Sequence, residues 1–426
     1  MDPLTEFLHQ ESAGGVALLA ATVAALVWAN AIGEGSYTSF WETGLTLGFG
    51  SLSLDEDLRH WVNDGLMVLF FFVVGLEIKR EVAVGRLSDR KAALLPVVAA
   101  LGGVILPALI FLAIIGGGPG SEGWAIPMAT DIAFAVGVLA LLGDRVSAGV
   151  KLLLLSIAIV DDLIAISVIA LFYSEGISLL WLAGAVAGLL VVAGMNLRGV
   201  SRVEAYVPVG LLVWVAALES GVHPTVAGVA LALLTPAQPV DGRRVLEQLE
   251  HRLHPYTAFA VLPLFALANA GIALDAGVIA DAVASPLPWA IAVGLVVGKL
   301  LGITGAALLA LRLRIGALGE DVRLAQVWGV AALGGIGFTV SLFVAQLAYT
   351  DPEIIDLAKI GIFTGSIVSA VIGVALLTRG APSPAVGRVS PARTTVAAPT
   401  PPDASEEARR RAAPRQDPAP PKDLPR

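Results

Sequence analysis

Apolar runs of about 20 residues recur along this chain, and a helix of that length matches the hydrocarbon core of a bilayer. They fall at 13–32, 59–84, 94–115, 124–142, 150–172, 179–197, 204–218, 224–235, 254–273, 287–311, 327–349 and 357–378. The eighth is short, so the count of twelve needs independent support, and loop charge supplies it. Taken alternately, one set of loops holds Lys79, Arg80, Arg86, Arg90, Lys91, Arg145, Lys151, Arg198, Arg202, Arg243, Arg244, Arg252, Arg312, Arg314 and Arg323. The other set holds only Arg59 and Lys359. By the positive-inside rule the first set and both termini face the cytoplasm. The expectation is an all-α, multi-pass protein of twelve transmembrane helices over residues 1–380. A net charge of −8 decides little where charges are sorted by side.

With 0 Cys, disulfides, thiolate metal sites and thiol nucleophiles are excluded. The acidic, Lys/Arg-free segment before the first run lacks the positive start of a cleaved signal peptide. Residues 381–426 are rich in Pro and Arg without hydrophobic period, and read as a disordered cytoplasmic tail. The first outer loop, 44–57, alternates around Gly50 and reads either as a small β-hairpin or as an ordinary loop. A lone two-stranded hairpin is marginal in water, so a hairpin here suggests pairing with the same element of a second subunit.

The costliest residues lie in SIAIVDDLIAI, 156–166, where Asp161 and Asp162 sit mid-span. An aspartate at a helix centre costs about 2.5–3.5 kcal/mol on insertion, which points to function. Spans four and eleven are poorly suited to continuous helix. Pro127 and Ala129-Thr130-Asp131 interrupt the first, and Gly334, Gly335 and Gly337 interrupt the second. Breaks at membrane depth survive only where protein buries them or a wet cavity lies beside them, and paired breaks in two halves point to a transporter's ion site. The halves would be 94–173 and 287–378, inverted in topology.

Facing half-helix ends concentrate partial charge, which Asp131 and the buried Lys299 could neutralise. Lys299 could instead pair with Asp161 or Asp162. Successive residues on a helix point about 100° apart, so one aspartate can face a cavity while the other faces a neighbouring span. Thr130 and freed carbonyls would complete an oxygen shell for a small hard cation, and the absence of His and Cys here disfavours zinc or copper. A site of this kind holds either protons or a cation, which makes exchange obligatory.

The motifs FFFVVGLEIKRE (70–81), PMATDIAFAVGVLALLG (127–143), SIAIVDDLIAI (156–166), HPTVAGVALAL (223–233), LEHRLHPYTAFAVLPLFALANAGI (249–272), GKLLGI (298–303) and GGIGFTVSLFVAQLAY (334–349) resemble those of the NhaA-type bacterial Na+/H+ antiporters over about 10–378. The resemblance implies spans four and eleven unwound and crossing, in a homodimer joined by the outer hairpin, in the bacterial inner membrane. It implies Asp162 as the main Na+/Li+ and proton carboxylate, Asp161 paired with Lys299 when the ion is absent, and Asp131 compensating the crossed helix ends. Sodium export would be electrogenic, pH-dependent and driven by the proton-motive force. The ions are cargo, so no cofactor is expected; membrane lipid and a second copy are the expected partners, with no nucleic acid or organic substrate.

The family also carries a pH-responsive cluster at the cytoplasmic mouth, matched here by Glu77, Arg80, Glu81, Glu250, His251 and His254, although a solvated helix end is the bland reading of each. Glu247 and Gln248 stand where well-known members are basic, a departure that bears on the steepness or midpoint of the pH response. An intramembrane aspartyl protease would need its two acids on different helices. A sodium symporter would need an organic-substrate pocket, and none is visible beside the aspartates. A passive channel would not need a titratable pair with a counter-charge.

Overall fold

The computed structural model describes residues 3–49, 52–118, 120–174, 176–240, 244–319 and 321–379. Gly50 at the expected turn, Arg243 of the basic loops and the tail 381–426 lie outside them. The helices belong to one unit, Met1–Ala381.

Helix α1 (Pro3–Val27) runs through a π-turn into α2 (Glu34–Trp41). Gly33 between them has φ 118, a region closed to most side chains. Strands β1 (Gly44–Phe49) and β2 (Leu52–Asp57) pair antiparallel, from Gly44 opposite Asp57 to Phe49 opposite Leu52. Asp57 then caps α3 (Leu58–Ala83), its carboxylate accepting from the His60 N–H at 2.7 Å. Next come α4 (Arg90–Ile115), a 3-10 segment at Ser121–Met128, α5 (Ile132–Leu141), α6 (Ala148–Phe172) and α7 (Leu179–Leu197). Helices α8 (Tyr206–Glu219), α9 (Pro224–Leu233), α10 (Val245–Tyr256), α11 (Leu262–Asn269) and α12 (Ala276–Ala284) are short. The chain continues with α13 (Pro286–Arg312), α14 (Leu324–Leu333), α15 (Phe338–Ala348) and α16 (Pro352–Arg379).

Among the described residues, eight helices are long and apolar enough to cross a membrane, or nine if α14 and α15, bent by 45°, form one span. The stretches expected as spans seven to nine fold instead as α8, of 14 residues, α9, of 10, and the pair α10–α11. At 1.5 Å rise per residue none of these helices alone matches a core about 30 Å thick.

Two sets of helix contacts stand out, linked by the packing of α1 on α5. In one, α4 crosses α13, and α16 packs on α13, α14 and α15. In the other, α3 packs on α9 and α10, and α1 on α11. The α4–α13 crossing rests on Gly102 and Gly302. A Cβ on either would strike the other's carbonyl, so only glycine permits this backbone approach.

Candidate functional site

The two interrupted segments meet. The Asp131 N–H donates to the Ile336 carbonyl at 2.6 Å, and the Thr130 hydroxyl donates to the Gly334 carbonyl at 2.8 Å. Each break therefore satisfies backbone groups that the other frees. None of Gly334, Gly335 and Gly337 has a positive φ. They are small because neighbours press on them: a Cβ on Gly334 would lie 2.8 Å from Ile303, and one on Gly335 would strike the Leu295 carbonyl. The helix is interrupted at these glycines as the sequence suggests, and close approach is what makes them small.

Asp131 is shared between two helix N-termini. As the cap of α5 it accepts from the Phe134 N–H at 2.9 Å. Its other oxygen accepts from the Thr339 N–H at 2.9 Å and the Thr339 hydroxyl at 2.6 Å, in the first turn of α15. One carboxylate thus meets the partial positive charge of two half-helices. Thr339 escaped the sequence reading because a threonine in an apolar run gives no signal of its own.

Helix α6 carries the acidic pair. Its N-terminus is fixed by Ser147 and by Asp321, whose carboxylate accepts from the Gly149 N–H at 2.9 Å. Both aspartates are buried, at 1% and 5% exposure, and their environments differ. Asp161 meets the fully buried Lys299 of α13, Nζ to Oδ2 at 2.7 Å. Lys299 also donates to the Thr130 hydroxyl at 3.0 Å, which passes the polarity on to the Gly334 carbonyl at the end of α14. Thr130 therefore stands on the Lys299 side of the site.

Asp162 instead lines a cavity of about 40 Å³ with Glu77, Asp131, His254, Thr257 and Val340. That volume accommodates a water or a small cation. Among the described residues no three His, Asp or Glu side chains converge as a metal cage.

The cluster expected at the mouth is less exposed than solvated helix ends would be. Arg80 pairs with Glu250 at 2.7 Å, and the Glu250 side chain is only 8% exposed. His254 Nε2 lies 4.0 Å from Glu77, and both face the Asp162 cavity. His251 is exposed, and Arg244 pairs with Glu247 at 3.2 Å on the surface. Glu81 is half-buried on α3 near Arg80. Burial pushes the Glu250 carboxyl above the ordinary glutamate range, with Arg80 and then His254 opposing. Lys359 also departs from expectation. It is buried within α16, so Lys299 is not the only basic residue enclosed by helices.

The family model described as Na+/H+ antiporter 1 matches residues 5–377. The chain is 47% identical over 383 residues to the Na(+)/H(+) antiporter NhaA 2 of Erythrobacter litoralis, covering 90% of this chain and 95% of that protein. It is 46% identical over 382 residues to Na(+)/H(+) antiporter NhaA of Shewanella loihica, covering 89% and 97%. It is 48% identical over 377 residues to the Yersinia pseudotuberculosis protein of the same name, covering 88% and 95%. The matched range takes in both interrupted segments, and on this similarity the chain belongs to the Na+/H+ antiporter 1 family, integral membrane proteins that are secondary transporters and not enzymes.

Proposed function

We propose that this protein exports cytoplasmic Na+, and Li+, in exchange for external protons by alternating access. The observation that carries the reading is the division between the two aspartates. Asp161 is neutralised by Lys299, while Asp162 opens on a cavity and accepts no hydrogen bond among the described residues. A buried carboxylate without a counter-charge must take up a proton or a cation, and the two compete for one place. Exchange follows, and cation binding fades as pH falls. With more than one proton entering per sodium the cycle is electrogenic and driven by the proton-motive force. Either Asp161 or Lys299 carries the extra proton.

The meeting of the 3-10 segment and α5 with α14 and α15 supports spans four and eleven as crossing, unwound helices, held by Asp131 and Lys299 as charges of opposite sign. The reciprocal Gly102–Gly302 contact supports inverted repeats at about 94–173 and 287–378, since residues on a two-fold axis touch their own counterparts. We read α8, α9 and the run 254–273, from the end of α10 through α11, as spans seven to nine of twelve. Loop charge then supports cytoplasmic termini, and the relatives' bacterial sources, with the long apolar helices, support the bacterial cell membrane. The β1–β2 hairpin suits a homodimer contact. The burial of Glu250 and His254, with Glu77 at the ion cavity, suits a pH-responsive mouth.

Everted vesicles with a standing pH gradient test this. Added Na+ or Li+ collapses the gradient at alkaline pH in the wild type, and Asp162→Asn abolishes the response. Wild-type exchange in Asp162→Asn would remove Asp162 from the site.

A further inference from the structure

A second buried lysine lies away from the ion site. Lys359 on α16 has 9% of its side chain exposed, and its charge is met by Asp356 one turn earlier on the same helix, Nζ to Oδ1 at 2.8 Å. The same nitrogen reaches to the other helix group and donates to the Gly271 carbonyl at 3.1 Å, just past α11. Span one grips this segment from its far side. The Tyr37 hydroxyl accepts from the Gly271 N–H at 3.1 Å and donates to the Leu267 carbonyl at 2.9 Å. The Asn30 amide donates to the Ile272 carbonyl and accepts from the Leu274 N–H, both at 2.8 Å. Glu34 and Arg59, of opposite sign, are the other charges close enough to act on Lys359.

Two features suit this contact to opening. Asp356 shares the helix of Lys359, so the ion pair travels with α16 and breaking the bond to Gly271 leaves no charge uncompensated. Inward of Gly271 the same two groups meet through aromatic rings. Phe343 of α15 packs on Phe265 and Phe71, with centroids 6.1 and 5.2 Å apart. One turn before Phe343, Val340 already lines the Asp162 cavity. From the cavity outward the order is therefore Val340, the aromatic contact, and the Lys359–Gly271 bond.

We propose that Lys359 latches the outer side of the ion site, holding the Gly271–Leu274 segment against α16 while Asp162 faces inward and releasing it when the site turns outward. The proposal rests on the alternating-access reading, and its test separates the two.

The chain has no cysteine, so Ala268→Cys introduces a single thiol. Ala268 is 1% exposed and lies three residues past Phe265 on α11. In right-side-out vesicles a membrane-impermeant maleimide labels it slowly. Adding Lys359→Met with Asp356→Asn raises the rate by about tenfold, the shift expected when one state alone loses a charge-assisted hydrogen bond. Lys359→Arg, which keeps donor and charge, labels at the parental rate. In everted vesicles the cytoplasmic-side rate does not rise. A double variant that labels fast from both sides has unfolded, and Lys359→Gln alone then replaces it under the same criteria. Unchanged outer labelling in a protein that still exchanges Na+ for protons overturns the latch alone. Absence of exchange in the wild-type protein overturns the reading beneath it.

Discussion

Lys299 makes its ion pair where neither partner is reached by water, so the two residues of the pair cannot be removed independently. A buried charge left alone costs about 3–5 kcal/mol, whereas neutralising both partners costs far less. Asp161→Asn alone should therefore lower the thermal unfolding midpoint in detergent more than Asp161→Asn combined with Lys299→Gln. An additive loss would show that the pair contributes nothing as a pair. Glu250 presents the opposite case of an acid whose ionised form is disfavoured. Because burial raises its folded-state value, its contribution to stability is full below the ordinary glutamate value and is lost as pH rises through the raised one. Glu250→Gln should flatten that loss, so the midpoint of the variant gains on wild type as pH is raised through this window. Parallel pH profiles would remove Glu250 as the cause.

Two helix ends explain the carboxylate at the first interruption, and close approach explains the glycines at the second. Asp131 serves α5 and α15 together, and removing one cap or one charge-assisted bond costs about 1–3 kcal/mol. Asp131→Ala should thus lower stability by about 2 kcal/mol or more, with thermal denaturation at neutral pH as the measurement. At the α4–α13 crossing, Gly302→Ala places a methyl group against the Gly102 carbonyl. Overpacking of this kind costs about 1–3 kcal/mol, and the separation it forces would move Lys299 away from Asp161. A Gly302→Ala protein with unchanged stability would show that the crossing has slack. The positions of both interruptions were legible as Pro127 and a glycine cluster. That each interruption hydrogen-bonds the other was not, because 204 residues separate Thr130 from Gly334.

For the molecule as a whole, cargo binding is linked to stability. A ligand that binds only the folded state raises its stability by about 2.7 kcal/mol at a hundredfold excess over the dissociation constant. Na+ should therefore raise the unfolding midpoint at alkaline pH, progressively less as pH falls, and not at all in Asp162→Asn. A sodium effect surviving that substitution would place the cation elsewhere.

A chain of 20-residue apolar runs, with basic residues in alternate loops, is committed by its sequence to a multi-pass helical protein, because length and hydropathy are local properties that the bilayer reads directly. The motifs likewise sufficed to recognise the family. What the sequence left open, and the tertiary structure decided, is direction. Asp161 and Asp162 point about 100° apart on one helix, and only the packing of α6 against α4 and α3 sends one to Lys299 and the other to the cavity. The same holds for Lys359, which the sequence reads as an outer-loop cation. It becomes a buried donor because α16 brings it to Gly271, 88 residues away in the chain.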